Sequence, residues 1–297
     1  MGILLGLTAA LGWGSADFLA RYATRLIGTY RTLFFMQFFG FVCLSAYLLL
    51  SGTWRHSLFN ISWQTWIWTL LAIFLNISSS LALYRAFEVG VLTIVSPIAS
   101  SYATITVLLA VLTGEVISRI HSFGIVASLV GVILAATPIT WKSYAKALGS
   151  PSTTAHTSRW AGGVGWAIIA SLGYGIAFWL FGFRVTPVLG GITPIWLVRL
   201  ITPCMLAAFA PITHQSISIP PGHAWWYLTG LGILDTTAFV AVTLGYTFAQ
   251  VSIVSVLASL FSAVTVLLAW IFLHEHLQWN QWLGIGIIFV GVMLVNI

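Results

Sequence analysis

Two acidic side chains in this sequence lie inside long apolar segments, where a charge is costly and therefore indicates a function. Asp235 is the deeper of the two, and a carboxylate at that depth can take up a proton or bind a cationic group. Arg199 lies in the preceding apolar segment, so a buried Arg199–Asp235 ion pair is the structural alternative. The residues alone leave these roles open.

Asp17 is the second intramembrane acid, and it lies four residues after Trp13 and four before Arg21. This spacing puts the three side chains on one face of a helix. We expect Asp17 and Arg21 to neutralise each other near the membrane interface, with the arginine reaching outward. A gate at an entrance to the protein is the alternative use of this pair.

The sequence offers no pattern that predicts catalysis, a cofactor or a metal site. His274-Glu275-His276 lacks the histidine pair at i and i+4 that binds zinc on a helix. Cys43 and Cys204 lie far apart in apolar segments, which predicts structural roles. The net charge of +6 includes no cluster of Lys and Arg, so a nucleic-acid partner is not expected either.

The composition is that of a membrane protein, with 60% hydrophobic and 5% charged residues. A transmembrane helix needs about 20 apolar residues. The first segment has no basic flank or cleavage site, so we expect it to be retained as a span rather than removed as a signal peptide. Ten segments are long enough, and they lie at about 2–21, 30–51, 64–86, 91–113, 119–138, 162–184, 191–211, 224–246, 251–273 and 279–297.

The two halves of the sequence match each other in order. Glu115 and the glycine-rich segment after it recur 160 residues later, beginning at Glu275, and Thr106–Ala110 recurs as Thr265–Ala269. Trp13, between two glycines, corresponds to Tyr174 in the same setting. These matches predict one repeat at 1–139, a polar linker at 140–161 and a second repeat at 162–297.

Five is an odd number of spans, so the second repeat must cross the membrane in the opposite sense to the first. Inverted repeats are a recurring plan of secondary transporters, which bind substrate near the midplane between the repeats. The sequence therefore predicts an all-α integral membrane protein of ten transmembrane helices in two inverted five-helix repeats. At the expected centre, Asn76 corresponds to Asp235, Gln37 to Arg199, and Phe178 to Asp17.

The sequence resembles the drug/metabolite transporter superfamily in its ten-helix EamA-type branch. The resemblance rests on Trp13-Gly14-Ser15 with Arg21, and on Gly114-Glu115 and His274-Glu275, each followed by a glycine-rich helix. It departs from the family at Tyr102 and about Ser262, where a proline is usual. The resemblance implies export or exchange of small metabolites through a cavity lined by spans one, three, four, six, eight and nine.

Candidate binding residues follow from the polar and aromatic side chains on these spans. Serines near Asn76 and threonines beside Asp235 indicate a wet centre, and aromatic rings could hold an aromatic or cationic metabolite. By analogy with the family, Tyr84, Tyr102, Phe239 and Tyr246 also face the cavity. The expected cavity set is Trp13, Asn76, Ser80, Tyr84, Tyr102, Tyr174, Asp235, Phe239 and Ser259.

Glu115 and Glu275 recur at the ends of spans four and nine, which favours a structural role. A carboxylate at a helix C-terminus opposes the helix dipole, so we expect each glutamate to serve the N-terminus of the following span.

Together these features predict a secondary transporter, an exporter or exchanger, of small metabolites such as amino acids or related amines. Its expected partners are that substrate, a proton as a candidate coupling ion, and the lipid bilayer, and it would act as a monomer or weak homodimer. A flippase or transporter of a lipid-linked or nucleotide-linked sugar is the alternative. A non-transporting membrane scaffold is the third class.

The expected location is the inner or plasma membrane of a bacterium or archaeon. Seven Lys and Arg residues fall on the side opposite the termini and three on the termini's side, and positive residues favour the cytoplasm. Arg21 and Arg85 lie within helix ends rather than in loops, so the difference between the two counts of Lys and Arg is smaller. The resemblance implies the opposite orientation, with cytoplasmic termini, and we adopt it as the expectation.

Overall fold

The computed structural model describes residues 1–52, 61–136, 155–273 and 279–295, and all regular structure in them is helical. Span six continues from its main helix through a π-helical turn, Phe181–Val185, into a last helical turn. The helices are α1 (Gly2–Ile27), α2 (Thr29–Ser51), α3 (Trp63–Val89), α4 (Leu92–Ser100), α5 (Tyr102–Leu112), α6 (Arg119–Ala136), α7 (Ala155–Leu180), α8 (Thr186–Leu189), α9 (Thr193–Phe209), α10 (Ala224–Phe248), α11 (Val251–Ser259), α12 (Phe261–Leu273) and α13 (Trp279–Val295).

The predicted fold class is confirmed: the chain is an all-α integral membrane protein with ten spans in two inverted repeats. Among the described residues, seven spans are long and apolar enough to cross a bilayer, and α6 and α9 are shorter apolar helices. Spans four and nine each consist of two helices, α4–α5 and α11–α12.

Two helices extend beyond the predicted limits. α1 continues to Ile27, six residues past the expected end, and stops at Gly28, whose φ of 85° glycine adopts without strain. α7 begins at Ala155, inside the expected linker, and residues 140–154 of that linker lie outside the described residues. A helix can continue past the apolar layer because its backbone groups are satisfied internally.

Spans four and nine are interrupted at equivalent residues, Ser101 and Leu260. Their backbone angles are nearly identical, with φ/ψ of −64°/−6° and −63°/−6°. Each backbone N–H donates to the carbonyl three residues earlier at 3.3 Å, a local tightening of the helix. Pro97 lies inside α4 four residues before Ser101 and is a local signal for the first break, whereas the helix before Leu260 contains no proline.

The main helix contacts cross between the repeats. α1 packs along α10, and α7 packs along α3 in the same way. Near Gly2 the chain approaches Ala249 closely, and near Gly163 it approaches Gly90. The two contacts are equivalent in the repeats but lie at opposite ends of the bundle, as inverted repeats require. We refer to these as the Ala249 end and the Gly90 end.

Candidate functional site

A cavity lies at the centre of the bundle, between the two repeats. Helices from both halves form its wall, so neither repeat builds it alone. Of the residues expected from sequence, ten line it: Trp13, Asp17, Asn76, Ser80, Tyr84, Tyr102, Tyr174, Arg199, Asp235 and Phe239.

Arg199 and Asp235 form an ion pair at the wall of this cavity. An Nη2 atom of Arg199 lies 2.5 Å from Oδ2 of Asp235, and the two side chains are 1% and 19% exposed. The carboxylate therefore reaches the cavity, while the guanidinium lies behind it. This is the structural alternative that the sequence offered, but the cavity exposure of Asp235 leaves it available to a ligand.

The guanidinium of Arg199 is fixed by groups from two other helices, α2 and α10. Its Nη1 donates to Oε1 of Gln37 and approaches the Met36 sulfur at 3.7 Å. The ring of Phe239 lies 5.8 Å from its central carbon, a distance at which cation–π attraction contributes. A buried charge needs such partners, because removing it from water costs several kcal/mol.

Gly40 provides the space that Arg199 occupies. A Cβ atom at Gly40 would lie 2.9 Å from Cδ and 3.0 Å from Nε of Arg199, and would overlap the hydroxyl of Thr236. Only a residue without a side chain allows α2 to pass this close to the arginine. The identity of Gly40 and the position of Arg199 are therefore linked.

Asp17 lies on the same cavity, nearer the Gly90 end. Its Oδ2 accepts a hydrogen bond at 3.2 Å from the hydroxyl of Ser96 on α4. Arg21, one turn further along α1, does not line the cavity. The Asp17 carboxylate is thus held at the wall by a helix of its own repeat.

Aromatic rings cover much of the wall between the carboxylates. Trp13 packs edge-on against Phe178 at 5.4 Å and Phe239 at 5.9 Å between ring centroids. Trp13 also meets Phe261 at 6.2 Å, and the corresponding pair in the other repeat, Tyr174 and Tyr102, lies at 6.4 Å. Rings in this arrangement can present their negative faces to a cation.

Equivalent glycines bring spans one and six close to the interrupted helices. The carbonyl of Gly14 accepts from the Thr265 hydroxyl at 3.3 Å, and that of Gly175 accepts from Thr106 at 3.0 Å. These contacts place Trp13 and Tyr174, their sequence neighbours, on opposite sides of the cavity. The hydroxyl of Tyr174 is also hydrogen-bonded to Ser80 at 2.9 Å.

Three expected residues have surroundings different from those the sequence suggested. Ser259 and Tyr246 do not line the cavity. The Ser259 hydroxyl donates to the Val256 carbonyl at 2.7 Å, and the Tyr246 hydroxyl is hydrogen-bonded to that of Ser255 at 2.9 Å. Glu115 accepts a hydrogen bond at 3.1 Å from the backbone N–H of Ser252, in the first turn of α11. It therefore serves the start of a helix in the other repeat, whereas the sequence suggested the following span. Glu275 lies outside the described residues.

The wall also includes residues outside the expected cavity set. Gln37 and Phe178, which the repeat pairs with Arg199 and Asp17, line the cavity together with Met36 and Phe261, and Ser96 supports Asp17. The repeat would also have identified Phe261, since it corresponds to Tyr102. Within the described ranges, no three His, Cys, Asp or Glu residues come together as a metal site.

Comparison with known proteins decides the family. The sequence profile of the EamA-like transporter family matches residues 1–137 and again residues 161–297. The chain belongs to the EamA-like transporter family. This family is part of the drug/metabolite transporter superfamily, and its members are membrane transporters rather than enzymes.

The fold of this EamA-like transporter is shared with a solved structure described only as the crystal structure of a protein. The two superpose with a TM-score of 0.75 at 18% sequence identity, covering 99% of this chain and 96% of the other. At that identity the likeness shows the fold alone. A comparison with curated proteins finds no match.

Proposed function

We propose that this chain is a secondary transporter of a small amine-bearing metabolite, such as an amino acid or related amine, and that it acts as an exporter or exchanger. The observation that carries the proposal is the Asp235 carboxylate, which reaches the cavity while Arg199 holds it from behind. Its position between two inverted repeats is where such transporters bind substrate during alternating access.

The charge of the cavity favours an amine. Two carboxylates, Asp17 and Asp235, and one guanidinium, Arg199, line the described cavity. The carboxylate oxygens can accept charge-assisted hydrogen bonds from a substrate ammonium group. The rings of Trp13 and Phe178 would add cation–π attraction of about 0.5–2 kcal/mol.

The polar groups at the wall of the cavity suit a small metabolite. The tyrosine hydroxyls of Tyr84, Tyr102 and Tyr174 supply polar groups that can orient a bound molecule. A proton is a candidate coupling ion, because carboxylates line the same cavity.

A single chain is a sufficient transport unit, since residues 1–139 and 162–297 supply both repeats. We further propose that the termini face the cytoplasm of a bacterial or archaeal cell, as the family resemblance implies. An alkaline phosphatase fusion to the C-terminus should be inactive in this orientation, and an active fusion would contradict it.

The substrate class is tested by thermal shift of purified protein against amino acids, amines, sugars and nucleosides. A ligand raises the melting temperature by an amount set by its concentration over its Kd. We expect stabilisation by amine-bearing compounds, its loss in Asp235→Asn, and its retention in Glu88→Gln, a control carboxylate that pairs with Arg85 at a helix end.

Other outcomes of the screen contradict the proposal in different ways. Stabilisation by an amine that persists in folded Asp235→Asn would remove this carboxylate from the binding site. A response only to a polyprenyl-phosphate sugar or a nucleotide sugar would favour the alternative class of substrate.

A further inference from the structure

Arg199 is the cationic residue among the described residues that line the cavity, and its side chain is only 1% exposed. Its Nε lies beside the backbone of α2 at Gly40, where a Cβ atom would be 3.0 Å away. Its Nη1 donates to Gln37 and its Nη2 to Asp235. The ring of Phe239 lies over the guanidinium. A ligand in the cavity therefore does not reach the N–H groups of this arginine.

The interrupted helices do not supply an anion site at the residues where they break. Other inverted-repeat transporters bind a substrate carboxylate at the N-terminus of a broken helix, through free backbone N–H groups. Here the N–H groups of Ser101 and Thr104 donate to the carbonyl three residues earlier, at 3.3 and 3.0 Å. Those of Leu260 and Ala263 do the same in the other repeat, at 3.3 and 2.9 Å. Because these N–H groups are bonded inside their own helices, they are not available to a carboxylate.

The remaining hydrogen-bond donors of the described wall are neutral side chains. Ser80 and Tyr174 are bonded to each other at 2.9 Å, and Tyr102 donates to the Ser255 carbonyl at 3.4 Å. Neutral groups of this kind suit a hydroxyl, whereas a carboxylate removed from water needs a cation to offset its lost hydration. The carboxylate of Asp235, at the same wall, would also repel a second carboxylate beside it.

We propose that the site takes amines that carry no carboxylate group, and that it selects them over the α-amino acids with the same side chain. The ammonium group binds the Asp235 carboxylate, and the rest of the molecule packs on Trp13 and Phe178. A carboxylate on the same molecule would be buried beside Asp235 without a cation to bind it. The inference rests on the proposed function and narrows its substrate from amino acids and amines to amines alone.

Two matched pairs of compounds test this selection on the purified wild-type protein: phenethylamine with L-phenylalanine, and isoamylamine with L-leucine. Within each pair the side chain and the ammonium group are the same, and the carboxylate is the difference. Melting temperatures over a concentration series give an apparent Kd for each compound. A buried charged group without a partner weakens binding about tenfold or more. We therefore expect each amine to bind at least about tenfold more tightly than its amino acid.

L-Phenylalaninol separates the charge of the carboxylate from its size, because a neutral hydroxymethyl group takes the carboxylate's place. We expect it to bind nearly as tightly as phenethylamine, since a hydroxyl can bond to a neutral group such as Asn76. If it bound as weakly as phenylalanine, the exclusion would be steric, and the inference would be overturned.

The outcomes separate the inference from the proposed function. Equal or tighter binding of the amino acid in either pair would overturn the inference and leave transport of an amine-bearing metabolite standing. No response to any of these compounds would count against the proposed function itself and would remove the basis of the inference. Glu88→Gln, a carboxylate that pairs with Arg85 at a helix end, should keep the wild-type preference. A changed preference in that variant would show that the selection arises outside the cavity.

Discussion

Arg199 donates a hydrogen bond to Gln37, the residue that takes its own place in the other repeat. Two equivalent positions, one charged and one neutral, therefore meet at the centre of the molecule. Asp235 is likewise charged, its counterpart Asn76 is neutral, and both line the cavity. The helices are duplicated, but at this depth in the bundle the charged residues belong to the second repeat.

Removal of the Asp235 carboxylate should destabilise the protein strongly, because it leaves the buried guanidinium of Arg199 without its charged partner. We expect Asp235→Ala to lower the free energy of unfolding by about 3–5 kcal/mol. Asp235→Asn retains an oxygen that can accept from Arg199, so its loss should be smaller. Unfolding in mixed micelles of increasing SDS fraction measures both.

A double variant, Asp235→Ala with Arg199→Met, separates charge from packing. If the ion pair is responsible, the double variant should be more stable than Asp235→Ala alone. Equal or lower stability of the double variant would show that the side-chain volumes, and not the charges, matter at this position.

Gly40→Ala should displace Arg199, since the new methyl group would occupy the space beside Cδ and Nε of the arginine. Overpacking of this kind costs about 1–3 kcal/mol. The matched control is Gly165→Ala in α7, where a Cβ meets no atom within 4 Å. Melting temperatures of the two variants should differ clearly, and equal values would contradict the assigned contact.

Glu115→Ala should loosen the Ala249 end, because α11 loses the carboxylate that caps it. Loss of a cap costs about 0.5–2 kcal/mol. Unfolding in mixed micelles of increasing SDS fraction measures this loss. An unchanged free energy of unfolding would indicate that the Gln250–Val116 contact is sufficient to hold the start of α11 in place.

Trp13→Ala should weaken amine binding several-fold, because the ring faces the cavity and packs against Phe178 and Phe239. A cation–π contribution of about 1 kcal/mol corresponds to roughly a fivefold change in Kd. Trp226→Ala is the control, since this tryptophan is 83% exposed on the outer surface. Titration of phenethylamine by calorimetry gives both values, and equal effects would exclude a specific role for Trp13.

The fold could be predicted from sequence because the apolar spans and the matching halves are long-range patterns that single residues do not disturb. The Arg199–Asp235 pair could also be proposed, since two opposite charges in neighbouring apolar spans have few other partners. The interruption at Leu260 could not, because leucine fits a regular helix and no proline precedes it, whereas Pro97 is a local signal for the break at Ser101.

The partner of Glu115 was missed for a related reason. The helix that follows a residue in sequence is the simplest partner to expect, but in crossed repeats the nearest helix start belongs to the other half. Ser252 lies far along the chain and next to Glu115 in space. Such a contact follows from the topology, and spacing in the sequence does not reveal it.

The packing of α1 along α10 has a consequence for the order in which the protein is synthesised and folds. About 200 residues separate the two helices, so at roughly 5–20 residues per second α1 waits about 10–40 seconds for its main neighbour to be synthesised. During that time Asp17 has no second-half helix beside it. Ser96 arrives much earlier, on α4, and its hydroxyl can shelter the carboxylate until the second half emerges from the ribosome.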